Sequence, residues 1–232
     1  MRGLRRTVLG LAVLVLVLVG VDRGGDLVAE QQAAAGLAAT FGSEPDVDIR
    51  GFPFLTQWAS GRYDTIAVAG QSVLLGGTRA KNIHVTLRDV RTDPFLTNGN
   101  VDSVHAGTAS MAGTVPFDAL PLPRGISAKR AGDTGDRMRL SGTVSILDQD
   151  VRISAVVTVS LQDGDARLKP QQVKVLGPLP SVAATALVRD HLGASVQLAG
   201  LPPGLTAASL SVTDTGVRVH AAGTDVTLRT QR

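Results

Sequence analysis

Asp148-Gln149-Asp150 is a carboxylate pair whose spacing could hold a divalent cation, as an Asp-x-Asp in a sugar transferase holds a metal and a nucleotide diphosphate. It stands between two runs of alternating apolar residues, where the same residues make a solvated hairpin turn. A nucleotide-sugar fold also needs alternating helices and strands, and this chain lacks them. Four histidines are present, His84, His105, His191 and His220, and no two stand at a metal-binding helical spacing. Ser110 lies between Gly107 and Gly113, the wrong spacing for a nucleophile on a strand-to-helix turn. Gly76-Gly77 is a turn signal, not a phosphate-cradling loop. The chain has no cysteine, which excludes disulfides, thiolate metal sites and Cys nucleophiles. These residues therefore assign no catalytic group, no metal site and no cofactor, and no enzyme activity is expected.

The aromatic residues point elsewhere. Four of the chain's seven, Phe52, Phe54, Trp58 and Tyr63, fall within twelve residues. Pro53 cannot donate to a sheet, so this segment marks an edge or a strand end. Trp and Tyr combine an apolar body with one polar handle and suit a membrane interface. The same residues could equally plug one end of an apolar core. Phe52, Phe54, Leu55, Trp58 and Tyr63 are the candidates for lipid or membrane contact. Arg50 and Arg62 flank them as candidates for a phosphate headgroup.

The elements that must position these residues are mostly strands. Val47 and Ile49 alternate with acids, and Ile66 and Val68 follow Tyr63. Ile83, Val85 and Leu87 alternate with His84, Thr86 and Arg88. Met138, Leu140, Val144 and Ile146 share one parity, and Val151 to Leu161 is the cleanest run. Val173, Val175, Leu210, Val212, Val217, Val219 and Val226 continue the pattern. A period of two over this length predicts largely antiparallel sheet with one buried face. Residues 22–42 predict a helix with Leu27, Ala34, Leu37, Ala38 and Phe41 on one face and Gly42 at its end; a linker is the other account. A second helix is predicted from Ser181, through Val182, Ala186, Leu187 and Leu192, to Gly193.

Two segments resemble each other. Leu122-Pro123-Arg124-Gly125 matches Leu201-Pro202-Pro203-Gly204. Asp133 to Thr143 then matches Asp214 to Thr224 at six of eleven positions. Either a β-unit is duplicated, over roughly 120–145 and 200–226, or two hairpins share turn chemistry.

Met1 to Thr7 carries Arg2, Arg5 and Arg6, and Val8 to Val21 is fourteen residues without a charge. A basic start with a short apolar run is the layout of an export signal, and it is short for a bilayer span of about 20 residues. Residues 1–21 are thus expected to be a signal peptide or an N-terminal membrane anchor. Residues 22–232 are expected to form a single β-rich domain on the outer side of the cytoplasmic membrane, in the cell envelope or periplasmic space. The net charge of +3 belongs to those three arginines, since the remainder holds 20 basic and 20 acidic residues. No basic stripe for nucleic acid or Lys/Arg membrane tether is left.

Ile49-Arg50-Gly51-Phe52-Pro53-Phe54-Leu55-Thr56-Gln57, with Gly61 and Tyr63 after it, resembles the hallmark of the LmeA family, named for lipomannan elongation factor A of the actinobacterial envelope. Val21-Asp22-Arg23, Ala29-Glu30, the Leu201 to Leu205 run and the Thr213 to Val219 hairpin agree with it. The resemblance covers nearly all of residues 20–228. It implies a phospholipid-binding envelope protein, with phosphatidylinositol-type lipid, the membrane surface and a glycan-synthesis enzyme as partners. It also implies a mainly β (α+β) fold, a long curved antiparallel sheet wrapped around one or two helices as in tubular lipid-binding proteins. The alternative is a non-catalytic envelope scaffold with a packed core.

Overall fold

The alternating runs pair as antiparallel strands, because each has one apolar parity to bury and one polar parity to leave outside. The computed structural model describes residues 22, 24–35, 37–38, 43–75, 78–92, 103–120, 122–146, 149–162, 164–176, 195–196 and 201–229. The sequence's expectations for residues 1–21, for Phe41, Gly42, Gly76, Gly77 and Asp148, and for the helix from Ser181 to Gly193 lie outside those residues. Of the Asp-x-Asp, Gln149 and Asp150 begin a strand.

The strands form two sheets, and neither closes into a barrel. The fold is mostly β with helices on the sheets, as the sequence implies. In the first sheet, β1 (Asp46–Arg50), β2 (Arg62–Leu75), β3 (Thr78–Thr92) and β4 (Ser103–Pro116) lie side by side. Then comes β11 (Gly216–Arg229), with β10 (Thr206–Val212) beyond it. The chain between β4 and β10 builds the second sheet, a meander of β5 (Ile126–Arg130), β6 (Arg137–Ile146), β7 (Gln149–Gln162) and β8 (Asp165–Leu176), with β9 (Ser195–Val196) beside β8.

Each sheet buries the parity its sequence marks. On β7, Val151, Ile153, Ala155, Val157 and Val159 are all buried and face Leu140, Met138, Val173 and Leu168 across the ladder. On the first sheet, Ile83, Leu87, Val90, Ala106, Ala109, Met111, Ala221 and Val226 form the core. The two cores meet at β10, whose Val212 packs into the second sheet's cluster while its amide donates to the Gly135 carbonyl at 2.6 Å. Arg130 Nη1 also reaches Asp214 Oδ1 at 3.2 Å between the sheets. Asp214 is well exposed, so we expect Arg130→Gln to cost about 1 kcal/mol or less in urea unfolding.

The inward parity changes at one shared level in three neighbouring strands. Leu87 and then Val90 face inward on β3, Ala109 and then Ala106 on β4, and Ala221 and then Val226 on β11. The residues at the change are Asp89, Gly107 and Asp225, side by side, and both aspartates adopt φ of 51°. Asp tolerates this left-handed geometry better than most residues. Because all three strands step together, pairing continues on both sides of the change.

The segments resembling each other in sequence form like features. Gly125 (φ 83°) and Gly204 (φ 87°) each close a turn, through Ile126 N–H to Pro123 O and Leu205 N–H to Pro202 O. Each turn packs its carbonyl against a second glycine, Gly142 or Gly223.

Candidate functional site

Residues 51–63 leave the edge strand β1 and return along β2, and most of this turn is a helix that the sequence did not show. Helix α2 (Phe54–Ser60) follows Pro53, whose extended backbone suits a position ahead of a helix, and Gly61 (φ 64°) ends it. The Phe52–Pro53 peptide is cis. With a helical period, Phe54 and Trp58 share one face and Leu55 falls on another.

The five lipid candidates therefore divide. Phe54 is buried against Ala34, Val47 and Ile49, with Trp58 and Tyr63 half-buried beside it. These three plug the end of the core. Phe52 and Leu55 are exposed. Burial raises the Tyr63 phenol pKa above its ordinary 10.0, with a side-chain hydrogen bond to Thr92 opposing. The folded state then favours the neutral phenol. Its contribution to stability is full below pH 10 and is lost as pH rises through the folded value. Tyr63 is the only tyrosine, so absorbance titration reads it directly, and we expect a midpoint above that of free tyrosine.

Of the headgroup candidates, Arg50 is exposed and its Nε bonds to Asp48 Oδ2 at 2.6 Å. Arg62 is exposed on β2, directly opposite Arg91 of β3.

The first helix holds this end together. Residues 22, 24–35 and 37–38 are helical (α1), and Ala29, Ala33, Ala34 and Leu37 pack on β1 and β2. Two of its carboxylates accept backbone N–H groups: Asp22 Oδ1 from Leu55 of the turn at 2.7 Å and Glu30 Oε1 from Ile49 of β1 at 2.8 Å. Such bonds use charge and fix geometry. Glu30→Ala leaves the Ile49 amide without that acceptor, and we expect a loss of about 1–3 kcal/mol in chemical denaturation. No helix among the described residues is long and apolar enough to cross a membrane.

An open depression of about 630 Å³ lies elsewhere, on the outer parity of the first sheet. Thr86, Arg88, Thr108, Ser110, Ala222 and Thr224 line it. Register brings them together: Thr86, Ser110 and Ala222 form one row and Arg88, Thr108 and Thr224 the next. Hydroxyls and one guanidinium are the chemistry of a phosphate or polyol, not of an acyl chain. Small polar residues facing outward on strands carry no sequence signal of a site, so this depression was not foreseen. Ser110, considered above as a nucleophile, is a mid-strand residue here.

The body is β-rich with aliphatic inner faces, and no group of metal ligands is gathered among the described residues. The model of the LmeA-like phospholipid-binding family matches residues 20–222, and the chain belongs to that family. No curated protein and no solved structure matches the chain.

Proposed function

We propose that this chain is a non-enzymatic phospholipid carrier of the cell envelope, working on the outer side of the cytoplasmic membrane after export. It takes phosphatidylinositol-type lipid and supports a glycan-synthesis enzyme, with elongation of lipid-linked mannan as the process served. The family match over residues 20–222 carries this reading. The inner face of the first sheet supports it, because Ala106, Ala109 and Ala221 are small where a filled sandwich would place bulk. An acyl chain seated there gains roughly 0.8 kcal/mol for each CH₂ it buries. Such a site needs no reacting groups.

The scaffold reading rests on the second sheet, where Leu140, Val151 and Val157 are completely buried in a packed cluster. Native mass spectrometry of the purified protein, followed by lipid extraction, decides between the two. We expect bound phospholipid, reduced in a folded Trp58→Ala variant. Lipid-free protein that also ignores vesicles containing phosphatidylinositol would leave the scaffold standing.

A further inference from the structure

Among the described residues, five large apolar side chains are exposed: Leu27 (60%), Val28 (54%), Phe52 (61%), Leu55 (37%) and Leu74 (64%). Scattered single apolar residues are ordinary on a protein surface. The first four are not scattered. They belong to the first turns of α1 and to the residues around the start of α2, which pack on each other. Asp22 holds the Leu55 amide, and Gly25 sits against the Phe54 ring and the Leu55 side chain. Leu74 lies at the far end of β2, roughly 40 Å away at about 3.3 Å per residue.

Two further observations mark the same end. Arg62 and Arg91 stand directly opposite each other on β2 and β3, both exposed, and like charges so placed repel. Neither pairs with a carboxylate among the described residues. An anionic phosphate between them would relieve that repulsion. The uncharged run from Val8 to Val21 ends in sequence immediately before Asp22, so the chain reaches this end from a segment of membrane-inserting composition.

We infer that this end docks on an anionic phospholipid bilayer, with Leu27, Val28, Phe52 and Leu55 seated among the lipids and Arg62 and Arg91 facing phosphates. The inference rests on the phospholipid reading above and adds to it the surface on which lipid is met. It also separates the aromatic segment into residues that close the core and residues that touch the membrane.

The chain has no cysteine, so Leu27→Cys, Phe52→Cys and Leu74→Cys variants of the full-length protein each carry a single nitroxide label. The labelled proteins are placed in nanodiscs of phosphatidylcholine, with and without phosphatidylglycerol. Labels at 27 and 52 should be relaxed more by oxygen than by a water-soluble nickel chelate, and the label at 74 should show the reverse. Adding Arg62→Gln and Arg91→Gln should move the label at 52 toward water in the anionic discs only. Labels at 27 and 52 as aqueous as the label at 74 would overturn the docking face. Lipid extracted from the same purified proteins before they are placed in the discs is a separate readout. Bound lipid with aqueous labels defeats the docking face alone, whereas immersed labels without bound lipid defeat the carrier and leave the docking face intact.

Discussion

Gly142→Ala and Gly223→Ala should each cost more than about 3 kcal/mol and leave little folded protein at moderate urea. The reason is backbone against backbone. A Cβ at Gly142 would overlap the carbonyl oxygen of Gly125, and a Cβ at Gly223 would overlap that of Gly204. Neither obstacle is a side chain that can turn aside. Gly125 and Gly204 are themselves held at positive φ by their turns, so the carbonyl cannot swing away without breaking the turn. The comparison site is Gly164, where a Cβ meets nothing within 4 Å. Its φ of 85° still penalises alanine, by about 1–2 kcal/mol. Circular dichroism through a urea titration gives all three values. A cost at Gly142 or Gly223 no greater than at Gly164 would show that the two turns yield easily.

Leu140→Ala should lose about 4–5 kcal/mol, the upper part of the range for such truncations. Leu140 has no exposed surface, and its partners across the ladder are Ala128 on one side and Ala155 on the other. It is the bulky member of a row of small residues. Removing it leaves three alanines abreast, and none is long enough to fill the space. Chemical denaturation measures the loss, and xenon or a small apolar ligand binding the variant would report the new cavity. A loss under about 1 kcal/mol would mean that Leu140 already borders empty space, which is the condition an acyl chain requires.

Strands with bulky alternating residues were legible in the sequence. β7 follows directly from Val151 to Leu161, and β3 from Ile83, Val85 and Leu87. β4 was not legible, because its inward residues are Ala106, Ala109, Met111 and Gly113, which give almost no hydrophobic contrast with the serines and threonines between them. It is nonetheless central, paired on both sides by β3 and β11. Helix α2 was hidden for a different reason: seven residues between a proline and a glycine are too few for a helical period to stand out. The aromatic cluster was visible, but its division was not. Whether Phe54 faces in and Phe52 faces out depends on a helix beginning between them. Asp22 and Glu30 belong to the residues that carry the family resemblance, and composition alone would treat both as surface acids. Their hydrogen bonds to Leu55 and Ile49 give them a positioning task that only the folded chain displays.

The aligned change of parity at Asp89, Gly107 and Asp225 acts as a key for strand alignment. In a uniform antiparallel sheet, a strand can slide by two residues and still present the same side chains to the same face. Here a slide of β4 would carry Gly107 away from the two left-handed aspartates that flank it. Inward residues of β4 would then meet outward residues of both neighbours between the old and new positions. A Cβ at Gly107 would also press on the Asp89 Cβ at 3.1 Å, so a larger residue there would have to push Asp89 aside. The alanine-rich strand whose own side chains specify its alignment least is thus held in place by a fault line that its neighbours share.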